Sequence, residues 1–139
     1  MFFDFSSAFN TIQPHLMASK LMNYNLHSST IAWVMDYLIS RPQYVRLNKS
    51  LSDTIHTKTG ATQGTVLSSF WFTLYTADYR LNQSGCHLQK FSDDSALVGH
   101  ILKDNDQAYR EEINKFVSWC EENFLELNLS KTKELVTIL

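Results

Sequence analysis

The chain has 139 residues, of which 44% are hydrophobic and 19% charged, and its formal net charge is −2 at pH 7. This length fits one domain, and the composition is that of an ordinary globular protein. The slightly acidic balance argues against a freestanding nucleic-acid-binding module, which usually carries a basic surface. No stretch approaches the roughly 18 apolar residues of a membrane span. Because the first residues also lack the pattern of a secretory signal, we expect an intracellular protein that is not secreted and has no membrane partner.

The first part of the chain predicts a short strand followed by two helices. Residues 2–5 (Phe-Phe-Asp-Phe) indicate a strand that starts with almost no residue before it, so we interpret the N-terminus as cut. Pro14 favours the first turn of a helix that runs to about residue 23. One serine of the pair Ser28-Ser29 is expected to cap a second helix, which stops before Arg41-Pro42.

A hairpin, a loop and a third helix follow. Residues 43–48 and 54–58 alternate apolar and polar side chains about a Lys49-Ser50 turn, which is a hairpin signal. Residues 60–64 form a loop, and helical spacing then continues to Asp78. The predicted apolar stripe of this helix consists of Leu67, Phe70, Trp71 and Leu74.

The last part predicts two short strands, His87–Ser92 and Ala96–Val98, on either side of a tight Asp93-Asp94 turn. A long amphipathic helix follows Asp104, and Glu134–Leu139 is predicted as a final strand. The predicted buried face of that helix consists of Tyr109, Ile113, Phe116, Cys120, Phe124 and Leu127. The tryptophans interpreted as core anchors are Trp33, Trp71 and Trp119. The order of elements predicts an α+β fold, with helices covering one face of an antiparallel sheet.

Three aspartates are candidates for metal chemistry. Asp93 and Asp94 are neighbouring carboxylates at a predicted hairpin tip, and such hard oxygens are what Mg²⁺ accepts. Alone this pair is a weak signal, because aspartate is common in turns. Asp4 lies in an apolar strand, where an unpaired charge is costly. Its carboxylate either faces water at the strand end or shares a divalent cation with Asp93.

Cysteine and histidine give no metal signal. Cys86 and Cys120 are far apart in sequence and are interpreted as small thiols in a reducing compartment. The five histidines, which also lack the spacing of metal ligands, are His15, His27, His56, His87 and His100. The glycine loop at 60–64 permits close approach to a ligand, but by itself it is an ordinary strand-to-helix connection.

Four segments in order carry a family resemblance that covers essentially the whole chain, 1–139. The first is Phe3-Asp4-Phe5-Ser6-Ser7-Ala8-Phe9-Asn10-Thr11-Ile12, and the second is Gly60-Ala61-Thr62-Gln63-Gly64-Thr65-Val66-Leu67-Ser68. The third is Phe91-Ser92-Asp93-Asp94, and the fourth is Asn128-Leu129-Ser130-Lys131-Thr132-Lys133. Together they resemble the first palm motif, the "GxPQG" motif, the "FADD" motif and the basic turn of non-LTR (LINE-type) reverse transcriptases.

The resemblance implies a polymerase palm with RNA-directed DNA polymerase activity. Asp4 and Asp93 would hold two Mg²⁺ (or Mn²⁺) ions, with Asp94 supporting the site. Lys131 matches the basic residue that would protonate pyrophosphate. The implied partners are an RNA template, a DNA primer and deoxynucleoside triphosphates.

The resemblance also implies a nucleotide-binding set. The Phe5 amide would contact the triphosphate, and Gln63 and Gly64 match positions beside the incoming nucleotide and template. Phe9 matches the sugar gate, where a bulky ring blocks a 2′-hydroxyl. An aromatic ring packed under the sheet is the other interpretation of Phe9.

The chain departs from the family pattern at Thr62 and Ser69, where proline is usual, and at Trp71, where a smaller apolar residue is usual. The fingers that precede Asp4 in the family and the thumb that follows the palm are expected to be largely missing. We therefore predict a chain that is weakly active or inactive when isolated. The alternative is an inert retroelement remnant or an interaction module. A metal-dependent phosphoester hydrolase would need a His-Asp or Glu-rich cluster that the sequence lacks.

Overall fold

A computed structural model describes residues 1–101 and 105–137. The helices are α1 (Pro14–Asn23), α2 (Ser28–Leu38), α3 (Val66–Tyr75) and α4 (Gln107–Glu122), with a short 3-10 helix at Ala8–Asn10. The strands are β1 (Phe2–Phe3), β2 (Arg41–Gln43), β3 (Arg46–Leu47), β4 (Ser50–Leu51), β5 (Ile55–Thr57), β6 (Cys86–Phe91) and β7 (Asp94–Gly99). The predicted α+β class is confirmed. In these ranges no helix is both long and apolar enough to cross a membrane.

The main sheet is antiparallel, with the strand order β1-β7-β6. Phe3 lies opposite Ser95, and both side chains are buried. The Phe3 ring lies 4.7 Å from the ring of Phe116 on α4, and just beyond β1 the ring of Phe5 lies 5.8 Å from that of Phe72 on α3. Helices α3 and α4 therefore cover one face of the sheet, as predicted.

The other face of the sheet is open. Alternate residues of a strand point to opposite faces, so the neighbours of the buried residues point away from the helices. Phe2, Val98 and Phe91 are 54%, 58% and 80% exposed. This open face carries the ends of β1 and β7, where the predicted site residues lie.

Strand β1 has a second neighbour along its other edge. The Phe2 amide donates to the Lys133 carbonyl at 2.7 Å, and the Lys133 amide donates back at 3.0 Å. The Asn128 amide donates to the Asp4 carbonyl at 2.8 Å. The predicted strand Glu134–Leu139 is wrong over 134–137, and residues 138–139 lie outside the described range. Pairing stops at Lys133 because the chain continues past the end of its short partner β1.

The helix boundaries are largely those predicted, with differences at the caps. Helix α1 spans Pro14–Asn23 as predicted. In α2 Ser28 is the first helical residue, and the cap is His27, whose Nδ1 accepts the Ser29 amide at 3.3 Å. Histidine is not among the usual capping residues, which is why a serine was predicted as the cap instead. Helix α4 ends at Glu122, and Phe124 therefore lies beyond it.

The buried face of α3 differs from the predicted stripe. Leu67 and Phe70 are 39% and 51% exposed. Because the helix is apolar almost all round, its periodicity could not select the face that packs on Phe5 and Phe9. The residues of α3 that are buried are Ser68, Trp71, Phe72 and Tyr75. Of the predicted tryptophan anchors, Trp71 is buried and Trp119 packs against the core, whereas Trp33 is 54% exposed.

Strands β2 to β5 form the predicted hairpin, but its turn lies one residue earlier. Leu47 pairs with Ser50, so the turn is Asn48-Lys49, and Asn48 has a φ of 55°. Asparagine tolerates this left-handed conformation better than most residues, which explains the register.

A buried carboxylate joins α4 to the connection that leads into β6. Glu112 is 1% exposed and accepts the Tyr79 hydroxyl at 2.6 Å. Its other oxygen accepts the amides of Asn82 and Gln83 at 3.0 and 3.1 Å. Burial by itself raises the pKa of Glu112, but these hydrogen bonds lower it below its usual value. The carboxylate thus fixes the start of the strand pair that carries Asp93.

The two cysteines are free thiols, in keeping with the sequence interpretation. Cys120 is buried, and desolvation raises its pKa to about 12. Cys86 is half-buried, and desolvation raises its pKa as well. A raised pKa leaves little thiolate at neutral pH, so both side chains act as packing groups.

Candidate functional site

The aspartate pair lies at the β6–β7 connection, with a different register from the predicted one. Phe91 pairs with Asp94, so the two-residue turn is Ser92-Asp93 and Asp94 is the first residue of β7. Ser92 adopts a φ of 54°, which lets the chain reverse one residue before the predicted position. The prediction of an Asp93-Asp94 turn is therefore wrong.

Asp4 lies directly after β1, at the end of the strand that leads toward this pair. Phe3 is opposite Ser95 in the last pair of the β1–β7 ladder, and the antiparallel chains continue from there to Asp4 and Asp94. The side chains of Phe3 and Ser95 are buried, whereas Asp94 is exposed. The register therefore directs Asp4, from the first motif, toward Asp94, from the third.

The carboxylates are accessible to a ligand. Asp93 is half-buried and Asp94 is exposed, and within residues 1–101 and 105–137 neither side chain takes part in a hydrogen bond or an ion pair. Over the same residues, no three His, Cys, Asp or Glu side chains are grouped so that they could hold a metal ion. Mg²⁺ commonly takes one or two protein carboxylates and completes its shell with water and phosphate. Asp4, Asp93 and Asp94 offer donors of this chemical type.

Lys131 contacts the same site from the C-terminal part of the chain. Its Nζ lies 3.8 Å from Asp4 Oδ2, and the two side chains are 68% and 34% exposed. Asn128 shapes the turn, because its Oδ1 accepts the Ser130 and Lys131 amides at 3.2 and 3.3 Å. The pair is too exposed to add much stability. Its importance is that it places a cation beside the aspartates.

Phe5 and Phe9 share a packing partner. The Phe9 ring lies 5.6 Å from that of Phe72, which also contacts Phe5. Phe5 faces Leu127 in an isolated bridge whose two hydrogen bonds come from the amides of Ser6 and Asn128. The Phe5 amide is therefore not used by Leu127. Phe9 is only partly buried, which is compatible with both interpretations made from the sequence.

The glycine loop docks on the segment that follows Asp4. The Gly60 amide donates to the Ile12 carbonyl, and the Ala61 amide donates to the Phe9 carbonyl, both at 2.7 Å. Gly60 has a φ of 78°, and a Cβ there would lie 2.7 Å from the Cα of Asn10. Only glycine fits this close approach. The loop and the Asp4 segment therefore form one packed unit.

Gln63 and Gly64 are exposed at the tip of this loop. Gln63 Nε2 donates to Asn10 Oδ1 at 3.3 Å. Gly64 has a φ of 76° and open space around its Cα. Helix α3 begins directly after them, capped by Thr65, whose hydroxyl accepts the Ser68 amide at 3.3 Å.

Comparison with models of known families identifies the family of the chain. The model of the family described as reverse transcriptase (RNA-dependent DNA polymerase) matches residues 1–138. The chain belongs to the reverse transcriptase family. A search among curated proteins found no match.

Sequence reasoning missed one residue at the site of this reverse transcriptase chain. Arg41 Nη1 donates to Thr62 Oγ1 at 2.5 Å, and Nη2 donates to the Gly60 carbonyl at 2.8 Å. A lone arginine before a proline has no informative spacing. Its position follows from the pairing of Arg41 with Thr57 at the end of the hairpin that leads into the loop.

Two surface pockets of the reverse transcriptase chain lie away from these residues. The first has a volume of about 570 Å³ and is lined by Asp78, Tyr79, Arg80, Asn82, Lys115, Ser118, Trp119 and Glu122. The second, of about 690 Å³, is lined by Pro42, Gln43, Tyr44, Val45, Ser52, Asp53 and Ile55. Neither includes a predicted site residue. The candidate site is an open sheet surface, which suits a large ligand better than an enclosed small molecule.

Proposed function

We propose that the chain is the palm core of a non-LTR, LINE-type reverse transcriptase. Its reaction is the transfer of a deoxynucleotide from a deoxynucleoside triphosphate to a DNA primer 3′-hydroxyl, directed by an RNA template. The observation that supports this proposal is the register of β1 with β7, which directs Asp4 toward Asp94 and the Ser92-Asp93 turn. Family membership over residues 1–138 supports it.

The three aspartates of the candidate site are the proposed ligands of the metal cofactor. Asp4 and Asp93 would bind two Mg²⁺ (or Mn²⁺) ions, and Asp94 would support them. When bound, such ions neutralise charge on the attacking hydroxyl and on the leaving pyrophosphate. The open position of the carboxylates leaves room for the substrate oxygens that complete the coordination.

The other site residues bind and orient the substrate. Lys131, held beside Asp4, is placed to donate a proton to a pyrophosphate oxygen. The Phe5 amide donates to the triphosphate, and the Phe9 ring bounds the sugar. Gln63 and Gly64 bound the base and template from the loop. Such a site accelerates the reaction through positioning and electrostatics, without a covalent protein intermediate.

The isolated chain is proposed to be weakly active or inactive, and intracellular. A net charge of −2 offers little attraction for the phosphate backbone of template and primer. We expect little primer extension by the chain alone, and no extension from an Asp93→Asn variant.

Metal binding tests the proposal without requiring turnover. The thermal unfolding midpoint is measured during Mn²⁺ and Mg²⁺ titrations of the native chain, Asp93→Asn and Asp36→Asn. A ligand that binds the folded state raises the midpoint. We expect the rise in the native chain and in Asp36→Asn, since Asp36 is an exposed residue of α2, and not in Asp93→Asn. Equal responses of all three proteins would reject the proposed metal site.

A second candidate is an inert remnant that acts as an interaction module, which the exposed hairpin favours. The apolar residues of this hairpin are 58% to 72% exposed and consist of Tyr44, Val45, Leu47, Leu51 and Ile55. Apolar surface of this kind often marks a protein contact. This candidate predicts no metal response and a binding partner that is lost on Leu47→Ser.

A further inference from the structure

Arg41 contacts the glycine loop, which also docks on the segment that follows Asp4. It lies three residues after the end of α2 and is half-buried. Two nitrogens of its guanidinium donate to different parts of the loop, the Gly60 carbonyl and the Thr62 hydroxyl. A planar guanidinium can span two acceptors in a fixed geometry, which the single ammonium of lysine cannot do.

The loop is well anchored before Thr62 and has fewer contacts after it. Gly60 and Ala61 donate backbone hydrogen bonds to Ile12 and Phe9. Beyond Thr62, Gln63 and Gly64 are exposed, and Gln63 is joined to Asn10 through one side-chain bond of 3.3 Å. Thr62 is therefore the last point at which the loop can be fixed before its exposed tip.

Thr62 receives several hydrogen bonds at this point. Its carbonyl accepts the hydroxyl of Ser68 and, at 3.4 Å, that of Thr65. Its own hydroxyl oxygen accepts from Arg41. Arg41 Nε is buried without a partner, which is unfavourable. The Arg41 side chain is therefore held in this position by its two hydrogen bonds to the loop, although its Nε–H has no acceptor among the described residues.

Thr62 does not by itself restrict the backbone of the loop. Proline restricts φ and so limits the conformations of a loop. Threonine leaves that freedom, and a side-chain tether is a second way to remove it. The Arg41–Thr62 bond exists only because the residue at 62 carries a hydroxyl.

We propose that Arg41 is a positioning residue that restrains the glycine loop at Thr62 and holds Gln63 and Gly64 in place for the incoming deoxynucleoside triphosphate. The nucleotide part of this inference rests on the proposed function. The tether itself is a property of the fold and can be tested separately.

Amide hydrogen exchange at residues 61–65 tests the tether. The variants are Arg41→Gln, Thr62→Val, which removes only the hydroxyl, and Thr62→Pro, each alone and Arg41→Gln combined with each Thr62 change. We expect Thr62→Val to speed exchange about tenfold, the effect of losing one charged hydrogen bond. Arg41→Gln should speed it at least as much, because it also loses the bond to the Gly60 carbonyl. The pair should be no faster than Arg41→Gln alone, because Arg41→Gln already removes the bond that Thr62→Val removes. With Thr62→Pro, Arg41→Gln should have a smaller further effect.

The matched control is Arg46→Gln, because Arg46 is an exposed arginine of the same hairpin that donates only to the Asn48 carbonyl. It should leave exchange at 61–65 unchanged. The tether is rejected if Arg41→Gln behaves like this control. It is also rejected if Arg41→Gln and Thr62→Val add independently.

Binding of a deoxynucleoside triphosphate with Mn²⁺ tests the positioning role. We expect Arg41→Gln to weaken nucleotide binding several-fold and leave binding of Mn²⁺ alone unchanged, and we expect Thr62→Pro to restore nucleotide binding in the double variant. Faster amide exchange at residues 61–65 in Arg41→Gln, together with unchanged nucleotide binding, would overturn the positioning role. If Asp93→Asn also leaves Mn²⁺ binding unchanged, the proposed function is rejected. The hydrogen-exchange result still shows whether Arg41 restrains the loop.

Discussion

Lys131 and Asp4 form an ion pair between the two ends of the described chain, with 3.8 Å between Nζ and Oδ2. The contact places a fixed positive charge beside a carboxylate that is proposed to bind a divalent cation. The two cations would compete for the same oxygens until a substrate phosphate arrives. In the proposed function Lys131 would then bind the phosphate, so the pair would couple metal binding to the presence of a nucleotide.

Lys131→Met is expected to tighten Mg²⁺ binding to the nucleotide-free chain by up to about fivefold, the range of an exposed ion pair. The same change should weaken binding of a metal–nucleotide complex, because a phosphate ligand is lost. Titration calorimetry with Mg²⁺ alone and with a triphosphate measures both. Lys133→Met, an exposed neighbour, is the control and should change neither value. Weaker binding of Mg²⁺ alone in Lys131→Met would contradict the competition.

Gly60→Ala is expected to destabilise the fold more than Gly64→Ala. Both glycines have a positive φ, 78° and 76°, so each substitution costs about 1 kcal/mol in backbone strain. Only Gly60 lacks room for a Cβ, and the clash with the Asn10 backbone should add about 1–3 kcal/mol. Urea unfolding of the two variants gives the difference directly. Equal losses would mean that the loop does not dock on the Asp4 segment.

Glu112→Gln is expected to lower the free energy of unfolding at pH 7 by about 2 kcal/mol, because the remaining hydrogen bonds become neutral and one acceptor oxygen is replaced by an NH2 group that cannot accept. Burial raises the pKa of Glu112, but its hydrogen bonds lower it on balance, and this sets the direction of the pH dependence. A lowered pKa stabilises the fold above the unfolded value, about 4.3, and this contribution is lost as the pH falls through the folded value.

The difference between the native chain and Glu112→Gln should therefore shrink between pH 5 and strongly acidic solution. Urea unfolding at a series of pH values measures it. The control is Glu121→Gln, an exposed residue of the same helix, which should follow the native curve. A constant difference at all pH values would show that Glu112 acts through packing and not through its charge.

Phe124→Asn is expected to stabilise the chain by about 0.5–1 kcal/mol, because asparagine tolerates the left-handed conformation better than phenylalanine. Phe124 follows α4 with a φ of 56°, and its side chain is 57% exposed. Asn25 occupies the corresponding position after α1, with a φ of 57°. The reciprocal change Asn25→Phe should destabilise by a similar amount. Thermal unfolding of both variants checks the pair, and a loss of stability in Phe124→Asn would contradict it.

Local sequence patterns predicted those elements whose boundaries are set by neighbouring residues. Pro14 marked the start of α1, and the alternation of β2 to β5 marked the hairpin. The Ser92-Asp93 turn could not be located to the residue, because nothing in the sequence indicates that Ser92 adopts a positive φ. Sequence motifs located the aspartates, but the pairing that brings them together is a long-range property.

Three other features were missed because they depend on contacts between distant segments. Trp33 was interpreted as core because it lies in a helix, and only the packing of α2 leaves it exposed. Arg41 reaches the loop through the register of β2 with β5. The segment at 128–133 was expected to be a turn, and its pairing with β1 follows from the position of that strand.

The pairing of Phe2 with Lys133 has a consequence for synthesis of the protein. Strand β1 is synthesised well before its outer neighbour, because the two are far apart in sequence. Contacts so distant in sequence form slowly. Until Lys133 has been made, the backbone groups on that edge stay open to other nascent chains, which favours aggregation. The strand that leads into Asp4 therefore waits for a distant segment before both of its edges are paired.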